Sequence, residues 1–373
     1  MGFVESIFIY VIPFLVVLSV VVFAHELGHY LVARWNGVRI EVFSIGFGPE
    51  LFGRTDRAGT RWKVSALPLG GYVKMHGDAD ATSSTIDLTS LPDPDSFPSK
   101  SVWRRMAIVA AGPLANFVFA IVALALLFAT VGRPLTPAEV GGIQPDSPAS
   151  AAGLQPGDRI VAVEGAPLAS FEELQAIVRT SPGDPLTFSI ERDGAPMEVV
   201  VTPERTQIED RFGQTHEIGL IGVTRTGVVF ERSNPLLAIG EGAGETVRLI
   251  GATLEALGQM VVGSRTTEEL GGPLRIAQMS GEIAKDGVVP VIWFTAVLSI
   301  NLGLINLFPI PMLDGGHLVM YAIEALRGRP LNERSQEVAF RFGLAFVLSL
   351  MVFATWNDLV QLNVIEFFKG LVS

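Results

Sequence analysis

Two histidines and a glutamate stand inside one of the most apolar stretches of the chain. Residues 20–33 read VVVFAHELGHYLVA, and the segment HELGH fits the pattern H-E-x-x-H. On a helix this spacing puts His25 and His29 on one face, where two imidazoles can bind one zinc ion, and leaves Glu26 free to move a proton. The alternative is a pair of histidines satisfied by neighbouring helices. Because ionisable groups are costly in an apolar span and normally serve function, we predict a metal centre.

A catalytic zinc ion needs a third protein ligand and an open position for water. The sequence contains no cysteine, so this ligand must be a histidine or a carboxylate. His76 and His216 are predicted to lie on loops. Asp314 and His317, in the segment PMLDGGHLVM, are then the remaining candidates. Spacing alone does not choose between these two residues.

The composition predicts a membrane protein with a soluble part. Of the 373 residues 49% are hydrophobic and only 17% are charged, and the mean hydropathy is +0.43. An ordinary soluble domain has about a quarter charged residues. The net charge of -11 and the isoelectric point near 5.0 argue against binding to nucleic acid, which needs a basic surface.

Four apolar runs are predicted to cross the membrane as helices, at 7–33, 106–131, 288–313 and 342–356. The first run lacks the basic start and the cleavage site of a signal peptide, so we expect it to be retained. Lys and Arg are concentrated between the first two runs and between the last two, which predicts that these segments are cytoplasmic. The termini and the connection 132–287 are then predicted to lie outside, and HELGH and Asp314 near the cytoplasmic side.

The outer connection contains a predicted small module at 139–203, which resembles a bacterial PDZ domain through GLQPGDRIVAVEG. Within it, Asp193 and Gly194 between two β-rich runs predict a hairpin. Further on, apolar residues recur between 239 and 261 at alternating steps of four and three, which predicts an amphipathic helix. This helix either packs on its own domain, which we favour, or lies on the membrane surface.

Several motifs, taken in order, resemble the site-2 protease family of intramembrane zinc metalloproteases, and within it the bacterial regulator-of-sigma-E proteases. They are AHELGHYLVAR, GFGP, GPLANF, NLGLINLFPIPMLDGGHL and the PDZ-like module. The resemblance covers most of the chain. One PDZ-like module is found here, where enterobacterial relatives carry two in tandem, which leaves the control of substrate access open.

The resemblance implies a fold and an organisation. The expected fold is a polytopic α-helical membrane protein of about four transmembrane helices, with a re-entrant β-element and an inserted extracytoplasmic PDZ-like α+β domain. The expected division is a first transmembrane helix at 1–34, a β-rich region with a polar linker at 35–101, a second transmembrane helix at 102–132, the PDZ-like module at 139–203, an outer segment with the amphipathic helix at 204–287, a third transmembrane helix at 288–317 and a fourth at 335–360.

The resemblance also implies residue roles. Asp314 is the expected third ligand of Zn²⁺, beside His25 and His29. Glu26 is the expected proton carrier, and Asn301 is expected to help hold the substrate or the developing oxyanion. Asn306 is interpreted as an interhelical hydrogen-bonding residue. Asn116, in GPLANF, is a weaker candidate for a role in supporting the ligands or in packing.

The function implied is that of an intramembrane zinc endopeptidase of the bacterial inner membrane. Its expected substrate is a single-span protein already trimmed by an upstream site-1 protease, such as an anti-sigma factor or a remnant signal peptide. The expected partners are this substrate, that protease and the lipid bilayer, with no nucleic acid. Two alternatives are a non-catalytic membrane scaffold with a PDZ-like module and a structural metal site, and a zinc-dependent transporter or metal sensor.

Overall fold

The computed structural model of the protein describes residues 7–77, 93–168, 170–209, 215–227, 229–264 and 271–361. The chain forms two compact units. The helical unit draws on the chain up to Leu127 and from Pro235 onward, and the strand-rich unit is Phe128–Asn234. The metal centre predicted from HELGH belongs to the helical unit.

The helices and strands are numbered in chain order. The helices are α1 (Ile12–Trp35), preceded by a π-helical turn at Ile7–Val11, α2 (Val102–Thr130), α3 (Pro148–Ala151), α4 (Phe171–Thr180), α5 (Pro235–Val262), α6 (Pro273–Lys285), α7 (Val288–Leu307), α8 (Asp314–Arg327) and α9 (Glu333–Gln361). The strands are β1 (Ile40–Thr55), β2 (Arg61–Met75), β3 (Arg133–Leu135), β4 (Val140–Ile143), β5 (Arg159–Val163), β6 (Ala166–Pro167), β7 (Leu186–Arg192), β8 (Ala195–Val201), β9 (Glu204–Glu209), β10 (Thr215–Leu220), β11 (Val223–Arg225) and β12 (Val229–Glu231).

Among the described residues, four helices are long and apolar enough to cross a membrane. They are Phe8–Trp35, Val102–Thr130, Val288–Leu307 and Arg334–Val360. These helices coincide with the four apolar runs of the sequence, so the prediction of four candidate spans is confirmed. The fourth is longer than the run 342–356, because α9 continues as a helix through polar residues at both ends of that run.

The third span is shorter than the sequence predicted, because α7 ends at Leu307 and not near 313 or 317. Pro309 and Pro311 follow, and each proline lacks the donor of a helical hydrogen bond and disfavours helical angles in the residue before it. Phe308 accordingly has extended backbone angles (φ -64°, ψ 145°). The chain resumes as α8 at Asp314. The break therefore puts Asp314 at the first turn of a new helix.

A long antiparallel hairpin, β1–β2, follows α1 and confirms the prediction of strands in this region. Its register shifts repeatedly, which gives the strands a strong bend and twist. Gly71 in β2 lies directly against α1, since a Cβ there would stand 2.9 Å from Val22 Cγ1 and 3.2 Å from Glu26 Cγ. The hairpin therefore borders the HELGH segment.

The predicted amphipathic helix forms α5 and packs against two of the candidate spans. At one end Gly242 approaches α2, where a Cβ on it would lie 2.8 Å from the carbonyl oxygen of Ile121. Further along, Thr253 Oγ1 donates to Asn301 Oδ1 of α7 at 3.1 Å. The helix thus belongs to the helical unit, although its sequence lies in the connection that we predicted to be outside.

The strand-rich unit is built on a four-stranded sheet with the order β6-β5-β7-β8. Asp193 and Gly194 both have positive φ (50° and 79°), as a two-residue type I′ hairpin requires, so the predicted hairpin between β7 and β8 is confirmed. Helix α4 covers the sheet with Leu174 and Val178, which are one turn apart and fully buried. The unit extends beyond 139–203, since β12 pairs with β3 and β11 pairs with β4.

An ion pair joins the last residue of β7, Arg192, to the buried Asp158 just before β5. Asp158 is only 1% exposed and accepts two hydrogen bonds of 2.7 Å from Arg192 and one of 2.7 Å from the Gln155 amide. The hydrogen bonds from Arg192 hold the pKa of Asp158 below its usual range, against the opposing effect of burial. We expect Asp158→Asn to destabilise the unit by about 3 kcal/mol, since the buried amide cannot replace the carboxylate that accepts from both Arg192 and the Gln155 amide.

The measurement is hydrogen exchange of β5 and β7 in the full-length chain, where about 3 kcal/mol corresponds to an approximately hundredfold faster exchange. Because the folded pKa of Asp158 is lowered, its stabilisation is complete above the unfolded pKa near 3.9 and disappears as the pH falls through the folded value. Glu217→Gln, in the exposed pair with Arg205, is the control and should change stability by about 0.5 kcal/mol or less. Equal effects of the two substitutions would contradict this account of Asp158.

Candidate metal centre

Helix α1 places the two histidines of HELGH side by side. Their Nε2 atoms are 3.2 Å apart, and their rings meet edge to face with centroids 4.8 Å apart. Both residues are 8% exposed. This arrangement follows from the helix itself, because residues four positions apart lie on the same face. The predicted pairing of His25 and His29 is therefore present.

Asp314, at the first turn of α8, completes a cluster of three metal-ligating side chains. Its Oδ2 atom lies 3.2 Å from His25 Nε2 and 3.5 Å from His29 Nε2, and one ligand atom from each residue falls within 4.8 Å of the others. Asp314 Oδ2 is buried and has no hydrogen-bonding partner among the described residues. Such a convergence of two imidazole nitrogens and one carboxylate oxygen fits a zinc ion.

The Nδ1 atom of each histidine faces a polar group of α2. His29 Nδ1 donates to the carbonyl oxygen of Ile108 at 2.9 Å, and His25 Nδ1 faces the side-chain amide of Asn116 at 3.2 Å. With Nδ1 carrying the proton, Nε2 of His29 presents its lone pair to the cluster. Asn116 Oδ1 is buried and has no hydrogen-bonding partner in the described part of the chain, so a half-turn of its amide would let it accept the His25 Nδ1 proton in the same way.

Two glycines allow α1 and α2 to approach this closely. A Cβ on Gly28 would stand 2.3 Å from the carbonyl oxygen of Ala111. A Cβ on Gly112 would stand 2.2 Å from His29 Nε2 and 2.9 Å from His25 Cε1. Real Cβ atoms do not make contacts this short, so both positions need glycine for steric reasons. The imidazoles therefore occupy space that a side chain on α2 would fill.

Glu26 is half-buried on the side of α1 that faces β2. The backbone of Val73 interacts with its carboxyl group, and Gly71 passes beside its side chain. Glu26 is not among the three clustered ligands. The structure thus leaves this carboxylate next to the cluster and available for proton transfer.

The other candidates of the sequence are not members of the three-residue cluster. Asn301, in α7, accepts a hydrogen bond from Thr253, and its neighbours in the helix contact α2: Ser299 Oγ donates to the backbone oxygen of Asn116 at 3.0 Å. His317 contacts the rings of Phe340 and Tyr321 and is not in the metal-ligating group. Of the two ligand candidates left open by spacing, Asp314 is therefore the one that meets the histidines.

Of the two remaining histidines, His76 is not in the metal-ligating group found among the described residues. His76 lies between two carboxylates, with Nδ1 2.9 Å from Glu41 Oε1 and Nε2 2.9 Å from Asp93 Oδ2, and Arg39 also contacts its ring. The side chain of His216 lies outside the described residues. Asn116 was only a weaker candidate from the sequence, yet in the structure it contacts His25. The sequence feature that pointed to it is the motif GPLANF inside an apolar run.

Comparisons with known proteins bear on the family of the chain. The model of Peptidase family M50 matches residues 13–350. A protein of Agrobacterium fabrum named as a zinc metalloprotease is 48% identical over 362 residues, covering 95% of this chain and 96% of that protein. A protein of the same description from Rhizobium meliloti is 48% identical over 361 residues, covering 94% and 96%. The metalloprotease MmpA of Caulobacter vibrioides is 38% identical over 394 residues, covering 98% and 99%.

Among solved structures, the PDZ domain of the SdrC-like protein of Listeria monocytogenes is similar to part of this chain. The match is 20% identical, has a TM-score of 0.20 and covers 24% of this chain and 88% of that domain. The family match confirms the resemblance drawn from the motifs and supports the interpretation of the chain as an enzyme. The chain belongs to Peptidase family M50, the site-2 protease family, and is a zinc-dependent membrane metalloprotease.

Proposed function

We propose that this metalloprotease cleaves a peptide bond within the transmembrane segment of a single-span protein that another protease has already shortened. The observation that carries the proposal is the position of the metal-ligating cluster. Two of its three members, His25 and His29, lie within the candidate span Phe8–Trp35, ten and six residues before its end. A bond cleaved there must itself reach membrane depth.

In this proposal His25, His29 and Asp314 hold the zinc ion. When bound, the ion makes a water molecule a good nucleophile near neutral pH and polarises the peptide carbonyl group. Glu26 takes the proton from the attacking water and returns it to the leaving amine. Ile108 and Asn116 keep the imidazoles oriented so that their Nε2 atoms face the ion.

Asn301 is proposed to bind the substrate backbone or the developing oxyanion, as the family resemblance suggests. Its Oδ1 atom accepts the Thr253 hydroxyl proton, which leaves the Nδ2 group as the donor available for a carbonyl oxygen. A donor aimed at the developing charge stabilises the transition state more than the ground state. Asn301 would then affect the rate of cleavage and not the zinc content.

We also propose an orientation in the bacterial inner membrane. Ten Lys and Arg residues lie between 34 and 105 and four between 327 and 341, and such clusters favour the cytoplasmic side. Both termini and the strand-rich unit would then be extracytoplasmic, with the active site toward the cytoplasm. The β1–β2 hairpin would re-enter the membrane as a protein-lined element, since non-helical backbone at that depth must be shielded from lipid.

The substrate helix must unwind before its carbonyl groups can react, because its amides are all bonded internally in the membrane. We therefore expect cleavage to depend on helix-weakening residues near the cut. One glycine in place of alanine should raise the rate about fivefold, since it costs a helix about 1 kcal/mol. The measurement compares reconstituted single-span substrates that differ only at that position. Equal cleavage of a uniform Leu/Ala span would contradict the expectation.

The strand-rich unit is proposed to control which substrates reach the site, either by excluding bulky outer domains or by recognising a newly made C-terminus. Because β3 and β4 both pair with strands after 203, a deletion should remove the whole unit. The test joins Leu127 to Pro235 through a flexible linker. Cleavage of untrimmed substrates by this variant supports the size filter, and an unchanged need for trimming excludes it.

The proposed pathway is regulated intramembrane proteolysis, with an upstream site-1 protease that trims the substrate and an anti-sigma factor or remnant signal peptide as that substrate. The test reconstitutes the full-length enzyme in lipid vesicles with a trimmed single-span substrate and maps the cut by mass spectrometry. We expect the cut inside the apolar span. A cut only in the flanking soluble segments would overturn the proposal.

A further inference from the structure

Helix α2 contacts both of the helices that carry the metal-ligating residues. It meets α1 through the Ile108 carbonyl and Gly112. One turn before Ile108, Arg105 contacts α8 instead. Its Nη2 group donates to Glu324 Oε1 at 2.6 Å, across 219 positions of sequence. The same helix therefore holds the two histidines at one point and the helix of Asp314 at another.

The contact of Arg105 with α8 involves two side chains. The guanidinium carbon lies 4.7 Å from the centroid of the Tyr321 ring, while the guanidinium also pairs with Glu324. Tyr321 and Glu324 are three positions apart on α8 and so share a face. A planar guanidinium can stack on an aromatic ring and bond a carboxylate at the same time, which fixes both position and direction.

This contact is partly buried. The side chains of Arg105 and Glu324 are 16% and 17% exposed. Tyr321 also packs against a buried apolar cluster that includes Ile108 and Ala33, from α2 and the end of α1. A buried ion pair is weak evidence for stability, because desolvation offsets the attraction, but it requires a defined geometry. The Arg105–Glu324 pair is therefore expected to contribute mainly by positioning α8.

Asp314 needs such positioning because of where α8 begins. The segment between α7 and α8 contains two prolines, and Met312 within it has a positive φ of 84°. A helix attached through such a segment can pivot about the break unless it is held further along its axis. Glu324 lies ten positions beyond Asp314, about 15 Å along α8. A contact at that distance fixes the direction of the whole helix.

We propose that Arg105, together with Glu324 and Tyr321, is a positioning group that keeps Asp314 within reach of His25 and His29 and thereby sets how tightly the enzyme retains zinc. The inference rests on the zinc site and holds whether or not the substrate bond lies inside a membrane span. If the substrate bond proves to lie outside the membrane span, the positioning role of Arg105 still stands. If Arg105 proves to have no positioning role, the location of the cleaved bond is not affected.

The test measures zinc release from the full-length, zinc-loaded enzyme in detergent after addition of a chelator. We expect Arg105→Gln and Glu324→Gln to release zinc about 10-fold to 100-fold faster, the usual effect of removing a residue that supports a metal ligand. Arg104→Gln is the matched control, since Arg104 is the adjacent, exposed residue of α2. It should release zinc at the wild-type rate.

Two further measurements separate positioning from simple packing. The exchanged pair Arg105→Glu with Glu324→Arg should restore zinc retention to within a few-fold of wild type. The increase in Tm on adding zinc should be smaller for Arg105→Gln than for wild type, because this increase reports zinc affinity. Zinc release at the wild-type rate in Arg105→Gln, or an equal loss of Tm with and without zinc, would overturn the proposal.

Discussion

Glu26→Gln is expected to lower the cleavage rate by about 10²-fold to 10⁴-fold, the range for loss of a general acid-base residue, while the protein still binds one zinc ion. The reason is geometric. Glu26 is outside the cluster formed by His25, His29 and Asp314, so replacing its carboxylate by an amide removes a proton carrier and no metal-ligating residue. The measurement pairs cleavage of a trimmed single-span substrate with zinc analysis of the same sample.

The control for this substitution is Glu337→Gln, which alters an exposed carboxylate paired with Arg341 on α9. It should retain both zinc and the wild-type rate. Normal cleavage by Glu26→Gln would show that another group carries the proton. Loss of zinc together with cleavage would show that Glu26 supports the metal site instead.

Gly112→Ala is expected to abolish both zinc binding and cleavage, although it adds only a single uncharged methyl group. The new Cβ would stand 2.2 Å from His29 Nε2, 2.5 Å from His29 Cε1 and 2.9 Å from His25 Cε1. Because both neighbours lie on the one helix α1, the clash must separate α1 from α2 or rotate the imidazoles away from Asp314. Either change breaks the three-residue cluster. We expect zinc content below about a tenth of wild type, since overpacking of about 1–3 kcal/mol would act directly on the ligands.

Gly251→Ala provides the matched control, because Gly251 is also a helical glycine and a Cβ there meets no atom within 4 Å. Alanine at that position should leave zinc content unchanged and stabilise α5 slightly, since alanine is the better helix former. Zinc analysis and cleavage are measured on both variants. A zinc-loaded, active Gly112→Ala enzyme would contradict the observed approach of α1 to α2.

The sequence predicted those parts of the site that depend on local geometry. The pairing of His25 with His29 follows from helical spacing, and the expense of placing ionisable groups among apolar residues indicated that they serve a function. The four candidate spans followed from length and hydropathy, and the hairpin at Asp193 followed from the φ preferences of its two residues. Each of these features is determined within about thirty residues of chain.

The parts that the sequence did not predict depend on long-range packing. Spacing could not choose between Asp314 and His317, because the choice is made by the direction in which α8 leaves the break after α7. The support of His25 by Asn116 requires α1 and α2 to cross at Gly28 and Gly112. The hydrophobic periodicity of a helix does not show where it crosses another helix. The strand-rich unit exceeded 139–203 because β3 pairs with a strand far along the chain.

The early end of α7, at Leu307, could have been anticipated from the local sequence. The third run was extended through Pro309 and Pro311 because its residues are all uncharged, yet prolines at this spacing end a helix. Hydropathy measures whether a segment can lie in lipid and does not report whether it is helical. The break allows Asp314 to begin α8 and face the histidines.

The central claim is that one zinc ion is held jointly by α1 and α8. The most direct measurement is zinc stoichiometry of purified full-length protein, compared between wild type and Asp314→Ala under identical non-chelating conditions. We expect about one ion per chain in wild type and less than about a tenth in the variant, because two imidazoles alone leave the site short of the three protein ligands of a catalytic zinc. Equal zinc content in the two proteins would contradict the claim.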